Sequence, residues 1–219
     1  MDIQSCFKKA NEIDDYIDAH FDYAFDEKYG YKTTFPTNTG TGMKAGYTLH
    51  LPSLSDARRL NDISAELGRF GLKFRTVYGD GQNGYGNLYQ ISTQKTLGQD
   101  EREVIKDLDD IVLQIVNQEK EQREHFYKKD KIQMDDEIYK SYGVLKYARK
   151  LSLKDSMVLI SELMTGVSLG VLQFAHNGRY NINELIMDIQ PAVLRQNSGK
   201  AMSVAETDVL RAEYIRKYL

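Results

Sequence analysis

The chain has 219 residues, 41% of them hydrophobic, with 29 lysines and arginines against 32 aspartates and glutamates and a formal net charge of −3. This composition supplies a packed core, excludes a disordered chain, and lacks the basic excess of a general nucleic-acid binder. The single cysteine excludes an intrachain disulfide, and the absence of an ~18-residue apolar run or a signal pattern predicts a soluble cytoplasmic protein without a membrane partner.

The first half of the chain mixes helical and strand-like patterns. Apolar residues at steps of three and four predict an amphipathic helix over 3–25, and alternation over 44–51 predicts a strand that ends at Pro52. Further patterns predict a helix from Ser55 to Gly68 or Gly71, a strand over 72–78, a glycine-rich loop over 79–86 and a strand over 87–92. This order favours an α+β sheet over an alternating parallel fold.

Beyond residue 99 the patterns predict only helices. A long charged helix reaches about Phe126, and a charged linker covers 127–131. Further helices are predicted over 134–149, from Ser152, over 181–189 up to Pro191, and from Ser203 to the C-terminus. We therefore predict a partial α/β domain over 1–130 and an all-helical domain over 131–219.

A segment rich in threonine and glycine is the first candidate for phosphate binding. It contains Thr39, Gly40, Thr41 and Gly42 and is followed by Lys44. Glycine N–H groups, threonine hydroxyls and a lysine can converge on an anion. The segment lacks the Walker spacing, however, and spacing alone favours an ordinary turn.

The second candidate combines Arg75, inside a predicted strand, with Asp80 in the glycine-rich loop that follows. An arginine can bind a phosphate, and a carboxylate can hold a guanidinium group bidentately. An Arg–Asp pair that merely fastens the loop explains the spacing equally well. The four histidines have no metal-ligand spacing, and His50 is predicted at the surface because it lies on the polar side of its strand.

Short motifs in a fixed order along the chain resemble a known family. They are residues 11–15 (NEIDD), 22–27 (DYAFDE), 36–38 (PTN), 40–42 (GTG), 50–52 (HLP), 86–92 (GNLYQIS), 141–143 (SYG) and 190–191 (QP). The order resembles that of bacterial protein-arginine kinases of the McsB type, in the phosphagen-kinase or ATP:guanidino phosphotransferase superfamily. The family's N-terminal region, with several phosphate-binding arginines and a catalytic glutamate, has no counterpart here.

The resemblance implies a partial phosphagen-kinase-like antiparallel sheet with flanking helices, followed by a helical dimerisation domain. It implies phosphoryl transfer from ATP with magnesium to protein arginine, which depends mostly on positioning and charge stabilisation. By resemblance, residues 39–42, Lys44 and Arg75 would bind ATP, and Asp80 would face the guanidinium. Asp208 and Arg211 would hold phosphoarginine. The expected partners are protein substrates or protein quality-control components in a stress response, and a second copy of the chain.

Five positions depart from the family pattern. The arginine and the glutamate expected at the first two are Lys44 and Asp80, and the other three are Phe35, Thr93 and Thr207 in place of a cysteine, an asparagine and an arginine. Two interpretations stay open. The chain is either a protein-arginine kinase that is impaired or inactive as an isolated chain, or a pseudokinase that serves as a dimerisation, adaptor or phosphoarginine-binding module.

Overall fold

The computed structural model describes residues 2–35, 38–79, 84–94, 97–98, 100–173 and 181–219. The chain divides into two compact units, one made of residues 1–49, 54–77 and 89–119, the other of residues 50–53, 78–88 and 120–219. The elements in chain order are α1 (Ile3–Asp18), β1 (Phe25–Asp26), β2 (Gly30–Tyr31), β3 (Gly46–His50), α2 (Pro52–Asp56), α3 (Leu60–Arg69), β4 (Leu72–Thr76), β5 (Leu88–Thr93), α4 (Glu101–Lys129), α5 (Lys131–Tyr147), α6 (Leu153–Ser168), α7 (Ile182–Asp188), α8 (Pro191–Ser198) and α9 (Val204–Tyr218).

The central feature of the first unit is a three-stranded sheet with the order β3-β5-β4. Strands β4 and β5 are antiparallel, with Arg75 opposite Gln90. Strand β3 also runs antiparallel to β5, because the Thr93 N–H donates to the Ala45 carbonyl at 2.9 Å and the Leu51 N–H donates to the Asn87 carbonyl at 2.9 Å. The α+β fold class is confirmed.

One face of this sheet is apolar and the other is polar, as the alternation of side chains requires. Tyr47, Leu49, Leu72, Tyr89 and Ile91 are buried on the apolar side. The N-terminal half of α4 adds a buried stripe at steps of three and four to the same unit, formed by Val104, Ile105, Leu108 and Val112. Polar side chains therefore occupy the opposite face of the sheet.

The second unit is a helical core built around α6. Met157, Ile160 and Leu163 of α6 are almost completely buried, and the core also contains residues of α5, α7 and α9. Gly166 permits a close approach of α5 and α6, because a Cβ at this position would lie 2.5 Å from Cγ2 of Ile138. Ser152 and Ser203 cap α6 and α9 as predicted: Ser152 accepts from the Asp155 N–H, and Ser203 and Glu206 form a capping box.

The structure differs from the sequence predictions at several boundaries. The helix expected from Ser55 is two helices, α2 and α3, separated at Arg58, which has a φ of 57°. The linker expected over 127–131 was wrong, since only Asp130 lies between α4 and α5. The helix predicted over 181–189 is α7, which ends before Pro191 as expected. Pro191 then starts α8, which was not predicted, because a proline at the first helical position loses no hydrogen bond. The β1–β2 hairpin was not predicted.

In the part of the chain that the structure describes, no helix is both long and apolar enough to cross a membrane.

Candidate functional site

The polar face of the sheet carries a cluster of basic side chains. Lys73 and Arg75 lie two residues apart on β4 and therefore point to the same side, opposite Ser92 and Gln90 of β5. Lys44 reaches the same face from the segment before β3. An open concavity of about 770 Å³ is lined by Lys44, Ala45, Gly46, Lys73, Arg75, Gln90, Ser92, Thr93 and Gln94.

The charge of this concavity is uniformly positive. Among the described residues, no carboxylate lies within ion-pair distance of Lys44, Lys73 or Arg75. Nε of Arg75 donates to Oε1 of Gln90 at 2.7 Å, and this bond fixes the plane of an otherwise exposed guanidinium. A concave surface that clusters three cations, with no carboxylate of the described residues in ion-pair distance, is suited to bind an anion.

The Thr/Gly segment lies elsewhere in the first unit. The Gly40 carbonyl accepts from the Tyr31 N–H at 2.8 Å, and the Gly40 N–H donates back at 3.4 Å. Oγ1 of Thr41 accepts from the Met43 N–H at 3.2 Å. Thr41 and Gly42 line a different cavity of about 470 Å³, beside α1. The structure thus brings Lys44 and Arg75 together but not residues 39–42, and nucleotide binding by Thr39, Gly40, Thr41 and Gly42 stays a prediction.

Asp80 lies outside the described residues. The described residues on either side of it meet in the second unit, where the rings of Tyr78 and Tyr85 stack with centroids 6.2 Å apart and the Tyr85 N–H donates to the Tyr78 carbonyl at 3.2 Å. Gly86 follows with a φ of +79°, and a Cβ there would lie 3.1 Å from Cε of Met157. Tyr78, Tyr85 and Gly86 therefore pack against the helical core that contains α6.

His50 belongs to a polar cluster that the sequence did not predict. Its Nε2 lies 2.8 Å from Oγ of Ser161, and Nδ2 of Asn87 donates to the same oxygen at 3.1 Å. Burial, reinforced by the charge of Arg123, lowers the pKa of His50 to about 3, so the imidazole is neutral at physiological pH. The prediction of a surface histidine was wrong, because a polar strand position says nothing about the helix packed against it.

Arg211 and Asp208 form a buried ion pair in α9. Arg211 is 1% exposed and Asp208 is 9% exposed, and Nη1 of the arginine donates to Oδ1 of the aspartate at 2.6 Å. Nη1 also donates to the Leu151 carbonyl at 2.8 Å, and Nε donates to the Ile189 carbonyl at 3.0 Å. These bonds fasten α9 to the segments before α6 and after α7. Phosphoarginine binding by this pair stays a prediction, and the ligand would have to replace these acceptors.

Two family models match the sequence. The model described as ATP:guanido phosphotransferase, C-terminal catalytic domain, matches residues 1–122, and the model of the protein-arginine kinase McsB C-terminal domain matches residues 131–219. Together the two matches account for most of the chain.

Similar proteins include the protein-arginine kinase of Bacillus subtilis, which is 40% identical over 97% of this chain and 58% of its own length. Those of Bacillus pumilus and Clostridium kluyveri are each 39% identical, over 99% and 100% of this chain and 59% and 63% of their own lengths. The chain thus spans about three fifths of the length of these relatives.

Among solved structures, the chain is similar to a duplicated taurocyamine kinase from Schistosoma mansoni with bound transition-state-analogue components. The TM-score is 0.45, with 30% identity over 52% of this chain and 16% of the other. Lombricine kinase gives a TM-score of 0.38, with 29% identity over 45% of this chain and 26% of the other.

Proposed function

Because the chain belongs to the ATP:guanido phosphotransferase family, as a relative of protein-arginine kinases, we propose that it binds ATP and serves phosphoryl transfer to arginine side chains of proteins. The observation that carries the proposal is the concave sheet face on which Lys44 and Arg75 meet without a described carboxylate.

The two basic side chains would have different tasks. In phosphoryl transfer the protein mainly positions the phosphates and balances the charge on their oxygens. Arg75 offers a planar fork whose orientation Gln90 supports, whereas Lys44 offers a compact point charge on a flexible stem. We propose that Arg75 orients the polyphosphate and Lys44 adds charge compensation.

Magnesium fits this site only as the partner of the nucleotide. Within the described ranges, no group of three or more histidine, cysteine, aspartate or glutamate side chains is placed to hold a metal ion. Mg²⁺ usually binds through substrate phosphates and water, with one or two carboxylates, so an all-protein cage is not required. Bound with the nucleotide beside Lys44 and Arg75, the ion would neutralise part of the phosphate charge.

We propose that Asp80 is the carboxylate that holds the substrate guanidinium. Its support is its place in the chain, four residues beyond the end of the strand that carries Arg75. Aspartate is shorter than the family's glutamate by one methylene, and positioning errors of this size are costly in transfer reactions. We therefore expect slow transfer by this chain alone.

The second candidate function is a pseudokinase that serves as an adaptor in protein quality control. Replacement of the family arginine by Lys44 and of the glutamate by Asp80 favours it. Incubation of the chain with radiolabelled ATP and an arginine-rich unfolded protein separates the two functions. Acid-labile label that disappears in Asp80→Asn supports a slow kinase, and nucleotide binding without any label supports the pseudokinase.

We also propose that the helical unit forms a homodimer in the cytoplasm. The support is an exposed apolar stripe on α5, where Ile132, Tyr139 and Tyr147 are 85%, 54% and 72% exposed at spacings of seven and eight residues. Such a spacing keeps side chains on one side of a helix. Light scattering over a dilution series should give a dimer mass that Tyr147→Glu lowers to that of a monomer.

A further inference from the structure

We propose that Lys73 is a third phosphate-binding side chain and that Gly46, which has no side chain, leaves room for the polyphosphate on the surface of the sheet. This inference rests on the proposed binding of ATP by Lys44 and Arg75. Neither Lys73 nor Gly46 is among the candidate site residues that the sequence motifs indicated.

Strand geometry places Lys73 beside the proposed site. It shares the polar side of β4 with Arg75, two residues away, which corresponds to roughly 6.5 Å along the strand. Its partner across the strands is Ser92, a small side chain, whereas the partner of Arg75 is the longer Gln90. The ammonium group of Lys73 can therefore reach over Ser92 toward the middle of the sheet face.

Gly46 is required at its position by space rather than by backbone conformation. It is not among the glycines with positive φ. A Cβ at this position would lie 2.8 Å from the Ile91 carbonyl oxygen and 3.1 Å from Cβ of Ser92. Gly46 and Ser92 thus form a shallow floor, and any larger side chain at residue 46 would fill it.

The floor is surrounded by Lys44, Lys73 and Arg75, all exposed and all lining the same concavity. Three positive charges without a described carboxylate match a nucleoside triphosphate better than a monophosphate, because each added phosphate brings further negative charge within reach. The gain from Lys73 should therefore grow with the number of phosphates. A role limited to the stability of the sheet would not depend on the phosphate count.

The test is calorimetric titration of the full chain with Mg-ATP, Mg-ADP and AMP at fixed ionic strength. Lys73→Ala should weaken ATP binding by about three- to fivefold, in line with one exposed ionic contact, and should leave AMP binding nearly unchanged. Lys73→Arg should retain the wild-type preference for ATP over AMP. Lys106→Ala, which removes an exposed lysine from α4 outside the concavity, is the matched control and should bind like the wild type.

Gly46→Ala should weaken ATP binding while the thermal unfolding curve stays cooperative; if the variant unfolds, Lys73→Ala alone decides. ATP binding by Lys73→Ala equal to wild type, with Lys44→Ala and Arg75→Ala weakened, overturns the inference and leaves the proposed function intact. Failure of the wild type to bind ATP, or wild-type affinity in Lys44→Ala and Arg75→Ala, overturns both.

Discussion

Substitution of Arg211 by methionine should destabilise the helical unit more than any surface substitution. The side chain is 1% exposed and connects three segments through the carboxylate of Asp208 and the carbonyls of Leu151 and Ile189. Methionine retains much of the aliphatic volume but donates no hydrogen bond. The substitution therefore leaves one buried charge and two backbone acceptors without these donors.

The size of the effect follows from those lost partners. Removing one member of a buried ion pair typically costs 3–5 kcal/mol, because the remaining charge is uncompensated. Each buried acceptor without a partner adds about 1–3 kcal/mol before relaxation. Since the terms are not additive, we expect a loss of about 3–5 kcal/mol in the free energy of unfolding.

The assay is urea unfolding followed by circular dichroism for four proteins: wild type, Arg211→Met, Asp208→Leu and the double variant. The double variant should be more stable than the sum of the single losses predicts, because it contains no unpaired carboxylate. Arg216→Met on the same helix is a more exposed control and should lose less. A loss below 1 kcal/mol in Arg211→Met would refute the structural role and would favour a side chain available to a ligand.

Two further predictions concern the buried contacts of the second unit. The pKa of His50 in the folded protein, about 3, lies below the ordinary 6.5. The neutral imidazole therefore contributes its full stability above pH 6.5, and this stability is lost as the pH falls toward 3. Between pH 6.5 and 4.5 the loss in the free energy of unfolding is at most about 2.7 kcal/mol. Urea unfolding at these two pH values should show that the free energy of unfolding depends less on pH in His50→Gln than in the wild type. An equal dependence in both proteins would contradict a buried, neutral His50. Gly166→Ala should destabilise by about 1–3 kcal/mol because its Cβ would meet Ile138, whereas Gly143→Ala, also helical but with open space at its Cβ, should stabilise by about 0.5–1 kcal/mol. Thermal melts in which both alanine variants shift in the same direction would count against the α5–α6 packing described above.

Local sequence patterns were sufficient to predict strands β3, β4 and β5, with Lys44 on the polar side of the first pattern and Arg75 inside the second. They could not predict that β5 lies between the other two strands, because strand order depends on contacts between residues far apart in the sequence. That order is what brings Lys44 and Arg75 into one concavity. The same patterns could not show that Thr41 and Gly42 line a different cavity.

Charged and polar residues in the second unit were harder to predict. Arginine and histidine are usually exposed, so neither the burial of Arg211 nor the bond of His50 to Ser161 has a local signal. Pro191 was ambiguous for a different reason, since a proline can follow one helix or begin the next. For Arg211 and His50, partners distant in the sequence decide the outcome.

We propose that ATP binds on the polar face of the β3-β5-β4 sheet. Titration of the isotope-labelled chain with Mg-ATP, followed by amide NMR shifts, tests this binding site directly. We expect the largest shifts on residues that line the concavity, such as Gly46, Arg75 and Gln90, and smaller shifts in Lys44→Ala and Arg75→Ala. Shifts confined to Thr41 and Gly42, or to Asp208 and Arg211, would contradict it.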